Sequence, residues 1–131
     1  MTAQVVTITE TLNSNVAGGL QKISWDWLST DAGVVVGSVT TNEYTGYIVS
    51  MEMIPDAATT TPTAAYTATV SRSDGVDVLH GLGVGSSTAT ASVNKVFGDG
   101  LGCVIQSKLT LAIAAAGNAK GGILNLYIQP A

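Results

Sequence analysis

A single histidine limits the acid–base chemistry available to this chain. Hydrolysis by a Ser, His and Asp set needs an imidazole as general base, and His80 is the one imidazole among 131 residues. His80 stands at the expected end of a strand, and the chain contains no Gly-x-Ser-x-Gly nucleophile elbow. The sequence therefore predicts that the protein is not an enzyme and has no catalytic residue, and a small hydrolase is the remote alternative.

Phosphate and metal sites have only weak signals. The Gly-Leu-Gly-Val-Gly run at residues 81–85 lacks the lysine and the strand-loop-helix context of a phosphate-binding loop, so we expect a turn. Asp26 with Asp31 and Asp74 with Asp77 could meet at one end of a sandwich, but the spacing of acids that binds calcium is absent. We expect Asp74 to form a turn and Asp77 to be solvated, with no metal and no cofactor.

The aromatic and sulfur-containing residues favour a core over a chemical site. Trp25 and Trp27 share one strand face with Ile23, which predicts core anchors, although one indole could instead fill a pocket at a subunit boundary. Met51 and Met53 are expected to fill the core, on the strand face that also carries Tyr47 and Val49. Cys103 has no partner for a disulfide and is expected to be a half-buried filler.

Alternation with a period of two recurs along the chain and predicts strands rather than helices. The turn at residues 73–75 is the clearest of the connections, because Asp-Gly supplies the positive φ angles of a tight hairpin between residues 66–72 and 76–79. Residues 55–65, with two prolines, predict an exposed loop. We expect one all-β domain over residues 1–131: an antiparallel sandwich or barrel of eight or nine strands, jelly-roll-like or immunoglobulin-like, in which residues 1–12 form an N-terminal arm or edge strand. The alternating runs are at residues 5–12, 21–29, 47–53, 66–71, 108–113 and 124–128.

Charge is scarce. Only 14 of 131 residues are Lys, Arg, Asp or Glu, and the net charge is −4, whereas an average domain is about 25% charged. The scattered basic residues argue against nucleic acid, and the longest apolar runs are too short to span a membrane. No secretory signal is visible at the start of the sequence. A surface with so few charges favours association, with copies of the chain or with a partner.

Three stretches resemble a family of small virion proteins of tailed bacteriophages: residues 22–33, 44–83 and 108–128. Their order runs from a Trp-rich strand through a Tyr-x-Gly strand and a proline-containing loop to an Asp-Gly-Val-Asp-Val-Leu turn and a closing Ala-Gly-Asn-Ala segment. The first twenty residues fall outside the resemblance. The resemblance implies that the protein is an assembly component without an active site. It would be located at the capsid surface and made in the cytoplasm of the bacterial host.

The leading hypothesis is therefore a capsid decoration protein that forms a homo-oligomer, with a trimer expected, on the major capsid protein. Copies would join by strand addition at an edge or by exchange of residues 1–12. The uncharged stretches at residues 11–21, 32–42 and 57–71 are expected to supply many of the contacts. The alternative is a tail or fibre module that recognises a host through Tyr44, Tyr47 and residues 55–65. The interface candidates are Val6, Ile8, Trp25, Trp27, Val36, Tyr44, Tyr47, Thr60 and Pro62.

Overall fold

Two antiparallel sheets make up the fold in the computed structural model, which describes residues 3–12, 19–84 and 91–130. Parts of two predicted segments, residues 13–18 of the first uncharged stretch and residue 85 of the glycine run, lie outside the described residues. In the described residues no helix is long and apolar enough to cross a membrane. The strands are β1 (Val5–Thr11), β2 (Gln21–Leu28), β3 (Val35–Val39), β4 (Tyr44–Pro55), β5 (Thr67–Ser71), β6 (Val93–Val96), β7 (Val104–Ser107), β8 (Thr110–Ala114) and β9 (Gly121–Pro130).

The larger sheet has six strands in the order β1-β2-β9-β4, and β6 and β7 share the far edge of β4. β6 pairs with the second half of β4 and β7 with its first half. The smaller sheet has the order β3-β8-β5. The predicted all-β antiparallel fold is confirmed, and the nine described strands fall within the expected number.

The core lies between the two sheets, where the inward faces of the alternating strands meet. Ile23, Trp25 and Trp27 are buried on one face of β2, as their spacing predicts. The ring of Trp27 packs edge to face against Tyr66, which precedes β5 in the other sheet, with 5.3 Å between ring centroids. The two sheets are thus joined by large side chains, whose burial supplies most of the hydrophobic stabilisation.

A bulge in β4 overturns the predicted face of Tyr47. The register of β4 against β9 shifts between Ile48 and Ser50, so one extra residue stands on β4. Because side chains alternate with a strict period of two, this insertion moves Tyr47 to the outer face while Met51 and Met53 stay in the core. The prediction that Tyr47 shares a face with the two methionines is therefore wrong.

The predicted hairpin at residues 73–75 forms only its turn and its first strand. Residues 76–79 make no strand, and a single bridge joins Ser71 to Asp77. The carboxylate of Asp77 accepts hydrogen bonds from the backbone N–H groups of Val70, Leu79 and Gly81, at 3.3, 3.1 and 3.0 Å. The prediction that Asp77 is solvated is wrong, because its side chain folds the following segment into a loop against β5.

Candidate interaction surfaces

The nine predicted interface residues do not form one surface. Val36 is 61% exposed on β3 and Tyr47 is 39% exposed on the outer face of β4, in different sheets. Thr60 is partly exposed in a short 3-10 turn, and Val6 and Ile8 are partly buried against the core. The remaining four are buried within the chain itself, so their side chains are not available to a neighbour: Trp25, Trp27, Tyr44 and Pro62.

Burial of Tyr44 has a specific polar cause. Its hydroxyl donates a 2.7 Å hydrogen bond to Oε1 of Glu10, and Glu10 also accepts from the backbone N–H groups of Thr41 and Asn42. Burial acts to raise the pKa of Glu10, but these hydrogen bonds outweigh it, and the pKa lies below its usual value of 4.5. Burial and then the hydrogen bond to Glu10 raise the pKa of Tyr44. Tyr44 thus ties the start of β4 to β1, and Glu10 ties the connection between β3 and β4 to the same strand.

An exposed apolar surface, here called the aromatic patch, consists of Tyr47, Phe97 and Val104. Tyr47 and Val104 are register partners on β4 and β7. The ring of Phe97, which follows β6, meets that of Tyr47 edge to face with 6.3 Å between centroids. Phe97 and Val104 are 59% and 68% exposed. Three neighbouring apolar side chains therefore face solvent at one end of the larger sheet.

The backbone of Gly102 allows this arrangement. A Cβ atom on Gly102 would lie 3.0 Å from Cε2 of Phe97, and the φ angle of this glycine is +125°. The phenyl ring can thus lie against bare backbone. Sequence reasoning missed both Phe97 and Val104; the available signal was the only phenylalanine of the chain standing in a glycine-rich turn.

Beside the patch, a groove of about 280 Å³ runs along the free side of β7 and is lined by Arg72, Ser73, Asp74 and the strand itself. Arg72 binds Asp74 through two hydrogen bonds of 3.1 and 2.8 Å and donates a third, of 2.9 Å, to the carbonyl of Val104. The hydrogen bond from Arg72 lowers the pKa of Asp74. The groove therefore carries a locally neutralised ion pair rather than a free charge.

His80 acts as a tether in this region. It has a left-handed backbone with φ of 51°, and its Nδ1 donates to the carbonyl of Gly100 at 2.8 Å. This hydrogen bond connects the loop beside β5 to the loop that carries Phe97. The ring of His80 thereby holds the turn at residues 80–81 against the loop that carries Phe97.

The structure brings together one pair of carboxylates that was not predicted from the sequence. Asp56 lies near Asp26 over Gly121, in a groove of about 210 Å³ that Val5 also lines. Burial, and then the charge of Asp26, raise the pKa of Asp56. Within the described ranges no three His, Cys, Asp or Glu residues are placed to hold a metal ion.

Comparison of the chain with protein-family models, curated proteins and solved structures finds no match.

Proposed function

We propose that the protein is a virion component of a tailed bacteriophage, a capsid decoration protein that binds the major capsid protein and has no catalytic role. The proposal rests on the sequence resemblance together with the character of the surface. The exposed area is 6108 Å², so there is one charged residue per about 440 Å² of exposed surface. A chain of average charge content would place one charge on about 190 Å².

The aromatic patch carries the proposal. An isolated exposed valine is ordinary, but three contiguous apolar residues with a held aromatic ring make the kind of surface that protein partners cover. Aromatic residues are enriched in interface cores, and a ring already fixed by Tyr47 and Gly102 loses little conformational freedom on binding. We propose that the patch faces the capsid shell and forms the centre of that contact.

The test is co-sedimentation of the purified protein with empty capsids assembled from the major capsid protein of the same phage. The wild type should bind, and Val104→Asp should bind at least about tenfold more weakly, because a charge would be desolvated in an apolar contact. The matched control is Asn118→Asp, a charge of the same sign in an exposed loop at the opposite end of β9 from the patch. It should bind as the wild type does.

Two further variants probe the uncharged stretches. Val36→Asp and Thr60→Asp should each reduce assembly on capsids, since both positions lie in segments without any charge. Failure of the wild type to bind capsids at all would refute the decoration role. Normal binding by Val104→Asp would show that the shell contacts another surface.

The exposed Tyr47 and Phe97 pair also favours a second candidate, a tail or fibre module that recognises a host molecule. The predicted cluster of Tyr44, Tyr47 and residues 55–65 does not support it, because Tyr44 is buried. Reconstruction of the intact particle by electron cryomicroscopy distinguishes the two candidates, since density for the protein lies on the head in one case and on the tail in the other. Binding to host cells that is lost in Tyr47→Ala would favour the second.

A further inference from the structure

Along one side of strand β1 the backbone groups have no partner among the described residues. The N–H of Ser29 donates to the carbonyl of Lys120 at 2.7 Å, so the odd-numbered residues of β2 hydrogen-bond with β9 and the even-numbered ones with β1. The register of β1 with β2 then turns its odd-numbered residues toward β2. The N–H and C=O groups of Val6, Ile8 and Glu10 therefore point away from the sheet, where no other described strand pairs with them.

The other strand edges are at least partly covered. The side-chain amide of Gln4 bonds both the N–H and the C=O of Val36 on β3, each at 2.8 Å. On β5 the carbonyl of Val70 accepts from the loop that follows it, and on β7 Arg72 occupies the carbonyl of Val104. β1, with seven residues, has no proline, lysine or bulge of the kind that natural proteins use to protect a free edge.

We propose that β1 is a self-association edge, at which two copies of this chain pair their β1 strands antiparallel about a two-fold axis at Ile8. In this register Val6 of each copy stands opposite Glu10 of the other, and Ile8 opposite Ile8. All three residues are edge-facing, so each pair exchanges two hydrogen bonds and the six donors and acceptors per copy are satisfied together. The two larger sheets become one continuous sheet.

The side chains fit the same register. On the outer face Thr7 meets Thr9 of the second copy and Val5 meets Thr11, all β-branched residues that favour strand pairing. On the inner face Ile8 meets its own equivalent, which covers a side chain that is only partly buried in one copy. The single charge, Glu10, faces a valine, and its carboxylate is already bound by Tyr44 and the adjacent loop.

A second β1 is a better partner than the opposite edge of the sheet. β6 and β7 have four residues each and are separated by residues 97–103, so neither matches the length of β1. Pairing β1 with β6 or β7 would join copies head to tail and allow a closed trimer, whereas β1 with β1 gives a dimer. The two-fold pairing therefore replaces the trimer that the sequence led us to expect. The pairing would set the oligomeric state of the proposed decoration protein, but it can be tested without capsids.

The first experiment is sedimentation equilibrium of the whole chain from about 1 to 500 µM, a range suited to an interface smaller than the standard size. The wild type should pass from monomer to dimer. Thr7→Lys/Thr9→Lys places lysines opposite lysines in both symmetric pairs and should weaken the dimer about tenfold. The matched control, Thr7→Lys/Thr9→Glu, places a lysine opposite a glutamate in both pairs and should dimerise at least as well as the wild type. Both positions are exposed in one copy, so thermal unfolding should show folded protein in each case.

The second experiment tests the register without added charges. Thr7→Cys and Thr9→Cys, one of them carrying a size tag, are mixed and oxidised. Residues 7 and 9 of different copies stand directly opposite with about 4.5 Å between Cα atoms, whereas two residues 7 are about 8 Å apart, beyond the reach of a disulfide. The mixed disulfide should greatly exceed its statistical fraction, and wild-type chains with only the buried Cys103 should not be cross-linked.

Monomer at every concentration, a trimer, equal dissociation constants for the two lysine-containing variants, or a statistical mixture of disulfides would overturn the pairing. A dimer that fails to bind capsids would refute the decoration role and leave the self-association edge in place. A protein that binds capsids but stays monomeric in solution and forms no mixed disulfide would support the decoration role and refute the self-association edge.

Discussion

Removal of the Glu10 carboxylate should destabilise the fold and abolish part of its acid sensitivity. Glu10 is the only described group that accepts the hydroxyl proton of the buried Tyr44, and it also binds the backbone N–H groups of Thr41 and Asn42. A hydrogen bond to a charged acceptor contributes about 1.5 to 3 kcal/mol, and one between neutral groups about 1 kcal/mol. Glu10 is partly exposed, and water can replace the acceptor at Thr41. We therefore expect Glu10→Ala to cost about 2 to 4 kcal/mol and Glu10→Gln about 1 to 2 kcal/mol.

The measurement is urea unfolding as a function of pH. Because the pKa of Glu10 is lower in the folded chain than its usual 4.5, the carboxylate stabilises the fold fully above about pH 4.5, and this contribution is lost as the pH falls through the folded value. Glu10→Gln should remove that component of the slope below pH 4.5 while leaving the contributions of other acids.

Tyr44→Phe is the matched control, since it removes the hydroxyl and leaves the carboxylate bound by the loop. The double variant with Glu10→Gln should show a coupling free energy of about 1 kcal/mol, as expected for groups in direct contact. Additive effects of the two substitutions, or an unchanged acid slope in Glu10→Gln, would refute the assignment of this hydrogen bond as the link between β1 and β4.

Three more predictions have defined outcomes, each measured by denaturant or thermal unfolding. Asp77→Ala should cost about 2 to 3 kcal/mol, because three backbone donors lose their acceptor. Asp74→Ala removes one side of an exposed ion pair nearby and should cost clearly less; equal costs would contradict the role of Asp77. Gly46→Ala should prevent the pairing of β4 with β9, since its Cβ would overlap a carbonyl oxygen of β9. At Gly37 nothing lies within 4 Å of an added Cβ, so Gly37→Ala should cost only about 1 kcal/mol, because the backbone there is left-handed. Stability should fall above pH 10, because burial raises the pKa of Tyr66 to about 12 and the unfolded tyrosine ionises first near 10; a flat profile between pH 10 and 11 would contradict this.

Much of the fold could be predicted because the strands alternate cleanly. The faces of β2, β5, β8 and β9 follow from a period of two, and burial of Trp25 and Trp27 follows from their place on one of those faces. A bulge has no comparable signal in a single sequence. One inserted residue in β4 reversed the expected side of Tyr47 and, with it, the location of the aromatic patch.

Side chains that bond to distant backbone were equally invisible to sequence reasoning. Glu10 and Arg72 look like solvated charges in a strand and beside a turn, and their backbone partners, which are distant in the sequence, are fixed only when the sheets stack. Local pattern determines which face a residue occupies, but not which loop reaches it from the other sheet. The aromatic patch depends on such long-range placement, so the contact of Phe97 with Tyr47 and the exposure of Val104 beside them did not follow from the sequence, although the position of Phe97 in a glycine-rich turn was a signal.

The same observation strengthens the argument from charge. In the described residues at least six of the 14 charged groups hydrogen-bond to backbone groups: Glu10, Arg72, Asp74, Asp77, Asp99 and Lys120. Charged side chains that are hydrogen-bonded in this way hold segments of the fold together. They protect the protein surface against association less than free charged side chains do. The surface that remains to face other molecules is therefore poorer in free charge than composition suggests. The two proposed contacts, a second β1 strand at one side and a capsid at the aromatic patch, would account for both the missing charge and the free edge of β1.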